Sequence, residues 1–512
     1  MKLSSLLHKN EYRTSGDDRD PEISAVCCDR ANVSQGCLFV CIRGGRFDTH
    51  HMLPEIVRAG AAAAIVEIGS SFCRIPGFPI YEVKDSRAAL AVAVSRLCGS
   101  PEKSLTVIGI TGTNGKTSTS YMLYEILKKA GIRAGLIGTV TYTSDGNGKS
   151  TVASRKSGKA LAMTTPDPEL LYPLLREMAD DGVTHVVMEV SSHALRQRRV
   201  APIHFKLGIF TGLSPEHLDF HKTMEEYLEA KALLFRSCDV AVFHIDSPYA
   251  EAVMKHSTAA KTVTCSSMGC ESADVFAKEI SVREPSGISY LYCDTKRQIP
   301  IRVPIPGSFT VTNSLLATAA AEALGIPHQA AQRALFEMQG VPGRMERIDT
   351  GGEPFDILID YAHTEAALRS LLCSARSFVH PGGRLLVLFG CGGDRDKGKR
   401  APMGRTAEEL ADFVYLTSDN SRSEDPKAII RDILQGMTDR KKRKTVVDRK
   451  KAIHTAVRDL NVRDLLLLVG KGHEKYEITK GQTLPFDERK IVMEALTKRR
   501  SAHTKRSRGK TP

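Results

Sequence analysis

Apolar positions along this chain follow two rhythms. Short strand-like runs fall at 105–110, 184–190, 356–361, 384–389, 413–417, 444–447 and 464–469. Elsewhere apolar residues recur every three or four positions. Over 117–130, Met122, Leu123, Ile126, Leu127 and Ala130 share one helical face and Gly131 stops the run. Over 224–235, Tyr227, Leu228, Leu233 and Leu234 surround Lys231. From 343 onward strands and helices alternate regularly, which predicts a doubly wound α/β arrangement.

The punctuation divides the chain. Residues 38–42 and 62–66 read as strands and 54–59 and 86–98 as helices, with Gly99-Ser100-Pro101 as a linker. A first domain is therefore expected at 1–101. A second runs over 102–342, with a turn at 144–148 and an alanine-rich helix that opens at 306–313 and runs to 323. A third covers 343–497, and 498–512 is a basic tail. A chain of 512 residues is too long for a single core.

Composition narrows the class. The hydrophobic share of 42% and charged share of 26% are those of a globular protein. No run approaches the ~18 apolar residues of a membrane span. Acidic and basic residues follow soon after the start, so no signal peptide is expected. Twelve cysteines without a Cys-x-x-Cys read as reduced thiols in a cytoplasmic protein. Net charge is +13, and the tail carries Lys or Arg at 498, 499, 500, 505, 506, 508 and 510 with no acid. Lacking aromatic residues, it offers no stacking platform for nucleic acid and reads as a solvated extension.

Candidate chemistry begins at 107–117, where a strand leads into Thr-Gly-Thr-Asn-Gly-Lys-Thr and then a helix. Backbone N–H groups and a helix N-terminus there form a phosphate cradle; Lys116 reaches the outer phosphates and the Thr117 hydroxyl suits Mg²⁺. Ile110 stands where the usual loop has its first glycine. Glu189, at the end of a neighbouring strand, is placed to ligate Mg²⁺. Ser191-Ser192-His193 follows, but adjacency in sequence is not triad geometry. On spacing alone Lys231 snorkels to water, and the polar loop 44–51 is an ordinary turn or a binding loop. Four polar clusters, at 361–363, 390–396, 418–422 and 470–474, all follow strand ends, the edge where open parallel sheets bind ligands. Gly390-Cys391-Gly392 is no dinucleotide fingerprint, because Arg395 occupies the third glycine position.

Together, Thr-Gly-Thr-Asn-Gly-Lys-Thr, Met-Glu-Val-Ser-Ser-His at 188–193, Glu-His-Leu-Asp at 216–219 with Lys231 beyond it, Asp-Tyr-Ala-His-Thr at 360–364, Gly-Cys-Gly-Gly-Asp-Arg-Asp-Lys-Gly-Lys-Arg at 390–400 and Gly-Lys-Gly-His-Glu at 470–474 resemble the Mur ligases of bacterial cell-wall synthesis. The resemblance spans about residues 20 to 490 and is strongest to the members that add the third residue of the stem peptide. It implies three α/β domains: a UDP-binding domain, a P-loop ATPase-like parallel sheet and a C-terminal Rossmann-like domain. It implies ATP contacts at Gly112, Thr113, Asn114, Gly115, Lys116, Thr117, Ser118, Asn313, Arg344, Asp360 and His363. Thr164, Thr165, Ser191, Gln197 and Arg199 would hold UDP-N-acetylmuramoyl-L-alanyl-D-glutamate. Arg395, Asp419, Asn420, Arg422, Gly470 and Glu474 would hold the incoming diamino acid. Mg²⁺ would be held by Thr117, Glu189, His217 and a carbamylated Lys231 (N6-carboxylysine), with Lys116, Lys231 and His217 as the catalytic set.

The implied chemistry activates the dipeptide carboxylate as an acyl phosphate, which the amine of the amino acid displaces. The protein is expected to be a monomer that enters no membrane. Asp419-Asn420-Ser421-Arg422 departs from the Asp-Asn-Pro-Arg of diaminopimelate-adding members, but keeps the arginine whose planar fork suits a second carboxylate. Lysine and ornithine carry no such group. Asp29-Arg30-Ala31 stands in place of Asp-Ser-Arg in the first domain. The competing readings are folylpolyglutamate synthetase, of the same superfamily, and a nucleic-acid-binding ATPase driven by the basic tail.

Overall fold

The structure is a computed structural model describing residues 1–8, 11–14, 19–44, 48–140, 142–144, 163–284, 287–338 and 340–508. The turn expected at 144–148 lies outside these residues beyond 144, and the loop at 44–51 does so only at 45–47; its second half is a short 3₁₀ turn, Thr49–Met52, capped by Asp48. The chain forms two compact units: residues 1–276 with 315–331, and 277–314 with 332–512.

The first unit holds two sheets. The smaller has the spatial order Arg13–Thr14, Ile80–Val83, Ala63–Glu67, Cys37–Val40, Ala25–Cys27, parallel except for the antiparallel Arg13–Thr14. Helix Ser86–Leu97 is capped by Asp85, whose carboxylate accepts from the N–H of Ala88. In the larger sheet Thr106–Thr111 lies between His185–Glu189 and Phe205–Phe210, all parallel, with Ile108 opposite Val187 and Leu207. Ala134–Ile137 flanks one side; Cys238–His244 and Lys261–Ser266 extend the other. Parallel strands covered on both faces need apolar residues at nearly every position, and Val107, Ile108, Ile110, Val186, Val187 and Met188 are buried accordingly. This common direction brings Thr111 and Glu189 to one edge.

The second unit contains a six-stranded sheet in the order Glu346–Arg347, Asp356–Asp360, Leu465–Val469, Leu385–Phe389, Phe413–Leu416, Arg443–Thr445. All are parallel except Glu346–Arg347. One apolar cluster, with Leu372, Val387 and Met403, covers one face; another, with Ile453, Leu466 and Val492, covers the other. Two antiparallel hairpins accompany it, Gly287–Cys293 with Gln298–Val303 and Tyr476–Thr479 with Gln482–Pro485.

Several expectations shift. The helix expected over 224–235 stops at Ala232 and tightens into a 3₁₀ turn, Leu233–Arg236. The edge strand expected at 444–447 is Arg443–Thr445, starting one residue and ending two residues early. The basic tail is not a solvated extension at its start: helix Glu488–Arg508 runs into it. The Arg499 guanidinium donates to the carbonyls of Val457, Arg458 and Leu460, and Arg500 pairs with Glu353. All twelve cysteines are free thiols. Among the described residues no helix is long and apolar enough to cross a membrane.

Candidate functional site

The strand Thr106–Thr111 delivers the chain into a glycine loop, and Lys116 opens the helix Lys116–Lys129. Gly112 has φ +153, and a Cβ there would sit 2.0 Å from Thr211 Oγ1, so a larger residue would push the loop off its neighbouring strand. The loop is held from that side: Thr113 N–H donates to the Gly212 carbonyl (2.9 Å), and the Thr211 hydroxyl donates to the Asn114 carbonyl (2.5 Å). Lys116 Nζ donates to the carbonyls of Gly112 (2.8 Å) and Thr113 (2.9 Å). Ser118 lies half-buried in the first helical turn. Backbone N–H groups at this helix start carry the positive end of its dipole.

Glu189 is buried at the end of its strand. Its Oε2 accepts from the Thr117 hydroxyl (3.0 Å), and its Oε1 accepts from the N–H of Thr139 (2.8 Å). The Thr139 hydroxyl lies 3.0 Å from both Glu189 Oε2 and Thr164 Oγ1. A Cβ on Gly138 would come within 2.3 Å of Glu189 Oε1, so the carboxylate needs that glycine. Sequence reasoning missed Thr139. Its signal was available: it follows the end of Ala134–Ile137, the strand beside Glu189.

Four residues expected at the muramoyl dipeptide are linked through Thr165 to the backbone of Glu189. The Thr165 hydroxyl donates to the Glu189 carbonyl (2.9 Å) and accepts from the N–H of Ser191 (2.9 Å). Arg199 donates to the Thr165 carbonyl (2.7 Å) and to Gln197 Oε1 (2.7 Å). Thr164, the fifth, joins through Thr139. Ser191 Oγ caps the helix Ser192–Arg196, and Ser192 Oγ faces His221 Nε2 at 2.9 Å; among the described residues no carboxylate pairs with that imidazole, so no triad is complete.

Lys231 contradicts the snorkelling expectation. Its side chain is fully buried on the inner face of its helix with Tyr227 and Ala230, while Glu225, Glu226 and Glu229 on the outer face stay exposed. Nζ donates to the Gly112 carbonyl (2.8 Å) and lies 4.5 Å above the Tyr227 ring. Burial, then the charge of Lys116, holds its amine well below the ordinary lysine range. Tyr227 is buried too, its hydroxyl 3.2 Å from Thr113 Oγ1. His217 has φ +56; its ring packs edge-on against His193, with centroids 4.9 Å apart, and lies 6.3 Å from the Tyr227 ring. Of the expected metal set, Thr117 and Glu189 meet directly, Lys231 meets the phosphate loop, and His217 reaches them through Tyr227. The hydroxyl and carboxylate are oxygen donors of the kind Mg²⁺ takes. Among the described residues no three His, Cys, Asp or Glu side chains form a ready-made cage.

In the second unit, Arg344 lies 4.8 Å above the Tyr361 ring, and His363 Nδ1 is 3.1 Å from the Tyr361 carbonyl. Asp360 accepts from the N–H groups of Met345 (2.9 Å) and Ala362 (2.8 Å). Burial pushes its carboxyl above the ordinary range, with Arg344 opposing. Asn313 is buried on helix Phe309–Ala323.

The other strand-end clusters of this unit converge as well. Asn420 Nδ2 donates to Glu474 Oε2 (2.7 Å), and a Cβ on Gly470 would come 2.6 Å from Asp419 Oδ2. The Arg422 guanidinium donates to the Gly393 carbonyl (2.8 Å). Arg395 is exposed, its stem near Gly392. At the centre is a residue absent from the expected set. Lys471, fully buried, donates to Asn420 Oδ1 (3.0 Å) and the Tyr476 carbonyl (2.9 Å), with Asp419 at 3.5 Å and Glu474 at 3.8 Å. Burial opposes ionisation of Asp419, yet Lys471 and Arg449 hold it below its ordinary value. Burial and Asp419 push Glu474 up. At the opposite sheet edge a cavity of about 700 Å³ is lined by Arg347, which pairs with Asp356, and by Glu353, which pairs with Arg500.

A parallel sheet, a glycine loop with Lys-Thr at a helix start and an acidic residue on the adjoining strand end define a protein of the phosphate-loop class. Residues 110–321 match the Mur ligase middle domain and 343–472 the Mur ligase glutamate ligase domain. The chain belongs to the Mur ligase family. It is 37% identical over 498 residues to the UDP-N-acetylmuramoyl-L-alanyl-D-glutamate–2,6-diaminopimelate ligase of Clostridium botulinum, covering 97% of this chain and 99% of that one. The enzyme of the same name from Caldanaerobacter subterraneus is 39% identical, with the same coverage. A solved structure of a ligase of that name aligns with TM-score 0.64 at 29% identity, covering 93% of this chain and 95% of the other.

Proposed function

We propose that this chain is the ATP-dependent ligase that adds meso-diaminopimelate to UDP-N-acetylmuramoyl-L-alanyl-D-glutamate in peptidoglycan precursor synthesis. The observation that carries the choice of amino acid is the gathering of Arg422, Glu474 and Asp419 at one sheet edge, around Asn420 and Lys471. A guanidinium suits a carboxylate of the substrate, and the acidic pair suits an ammonium. The relatives bearing that activity across nearly the whole chain favour it over folylpolyglutamate synthesis.

In this reading the glycine loop and Lys116 hold the ATP phosphates, with Arg344, Asp360, His363 and Asn313 serving the nucleotide. Thr164, Thr165, Ser191, Gln197 and Arg199 orient the muramoyl dipeptide. Its terminal carboxylate takes the γ-phosphoryl group, ADP leaves, and the acyl phosphate is attacked by the amine of diaminopimelate with loss of phosphate. Lys116 offsets charge that develops on the transferred group. Thr117 and Glu189 would hold Mg²⁺, which supplies charge neutralisation at the phosphates. Burial favours the uncharged amine of Lys231, the form that adds CO₂ and loses a proton to become a carbamate, an oxygen donor. His217 completes the set. The three-domain division at 101 and 342 goes with this assignment, as do a monomeric, cytoplasmic protein and soluble substrates.

The test is direct. The purified protein, ATP and the UDP-dipeptide are offered diaminopimelate, lysine and ornithine separately, and the products are weighed. Diaminopimelate should give the tripeptide, with phosphate released only when both substrates are present. Incorporation of lysine or ornithine instead, or phosphate release independent of either substrate, overturns the reading.

A further inference from the structure

Arg422 sits in a left-handed conformation, φ +52, unusual for a residue with a long side chain. Such a conformation persists where the surroundings over-determine it, and here the surroundings are one element. The Arg422 N–H donates to the Ile478 carbonyl (3.0 Å), and its own carbonyl accepts from the N–H of Lys480 (2.7 Å). Those partners flank Thr479, the last residue of the hairpin's first strand. The same strand grips the rest of the 418–422 loop. Asn420 Oδ1 accepts from the N–H of Ile478 (2.9 Å), and the Ser418 hydroxyl donates to Glu477 (3.2 Å). The buried Ser421 hydroxyl donates to Thr479 Oγ1 (3.2 Å). Lys471 fastens the hairpin's start through the Tyr476 carbonyl.

We propose that the hairpin Tyr476–Pro485 is the specificity frame of the diamino acid pocket, with Thr479 and Ser421 as positioning residues that aim the Arg422 guanidinium. The proline expected at 421 would stiffen this turn through its ring. Here a hydroxyl pair does so from outside, which ties substrate choice to a hairpin beyond the recognition motif. The guanidinium itself has little room to wander: a Cβ on Gly392 would lie 2.9 Å from Arg422 Nη1. A slackened turn therefore misdirects the fork and leaves its charge in place.

This inference rests on the diaminopimelate reading, and its test separates the two. In Thr479→Val the KM for diaminopimelate should rise about two- to tenfold, the range of one net hydrogen bond. The KM values for ATP and the UDP-dipeptide should stay within about twofold of wild type by the same measure. The preference for diaminopimelate over lysine should fall by the same factor, because lysine has no second carboxylate for Arg422 to meet. Thermal melting establishes that the variant folds; if it does not, Ser421→Ala removes the other hydroxyl and carries the same measurement. An unchanged diaminopimelate KM, an equal rise for all three substrates, or an unaltered preference over lysine overturns the proposal alone. Wild-type enzyme that fails to incorporate diaminopimelate overturns the functional reading and this proposal with it.

Discussion

Replacing Thr139 by valine keeps the branched shape and deletes one hydroxyl. That hydroxyl lies 3.0 Å from Glu189 Oε2 and 3.0 Å from Thr164 Oγ1, so it joins the buried carboxylate to the residue assigned to the muramoyl dipeptide. Two other donors to Glu189 survive, the Thr117 hydroxyl and the Thr139 N–H. The carboxylate stays in place but loses one of three tethers. A hydrogen bond to a charged group contributes about 1.5–3 kcal/mol. If it acts in the transition state, kcat/KM falls by roughly 10- to 150-fold. Phosphate release under saturating and limiting UDP-dipeptide provides the assay, with a melting curve to set aside misfolding. Gly138→Ala is the companion. Its methyl would lie 2.3 Å from Glu189 Oε1, displacing the carboxylate itself, so its loss should exceed that of Thr139→Val. Thr139→Val within twofold of wild type would refute the idea that the tethered carboxylate matters to turnover.

Lys231→Ala should lose most activity and recover part of it in acetate, which returns a carboxylate to the pocket; full activity in the untreated variant would remove Lys231 from the site. Glu424 is held to about 2, first by its hydrogen bond to the Arg400 guanidinium. A carboxyl lowered from 4.5 lends stability above that pH and withdraws it as pH falls toward 2. The melting-temperature gap between wild type and Glu424→Gln should therefore shrink over that interval, and a constant gap would contradict the pairing. The Arg449–Glu488 ion pair is fully buried at 2.7 Å. Arg449→Met should cost about 3–5 kcal/mol by leaving a buried carboxylate unpaired, while Arg449→Met with Glu488→Leu should recover much of that in urea unfolding. A single variant as stable as wild type would show the pair to be dispensable.

The phosphate loop was legible because its chemistry is local: glycines, Lys116 and Thr117 are contiguous, and strand and helix flank them. The four strand-end clusters were legible for the same reason. Thr139 and Lys471 were not singled out, since their roles arise from which strands adjoin in space. Lys231 was misjudged on spacing because amphipathicity within one helix is silent about what packs on its polar side. The strands Phe205–Phe210 and Cys238–His244 went unmarked because Lys206 and Asp239 interrupt their apolar runs. Those two charges meet across the sheet, Nζ to Oδ2 at 3.1 Å. The tail's composition suited a solvated chain, yet Arg499 docks on the last carbonyls of helix Arg449–Arg458, where its charge favours the negative end of the dipole.

Leu465–Val469 is the last strand of its sheet to be synthesised, yet it lies between Asp356–Asp360 and Leu385–Phe389. During translation, those two earlier strands wait about 105 and 76 residues, respectively, each with one bare hydrogen-bonding edge and no neighbour to share. Folding of this sheet is thus deferred until residues 465–469 have been made. A nascent chain stalled or truncated before residue 465 would present two half-sheets open to pairing with other chains, a liability that chaperones or fast elongation must cover.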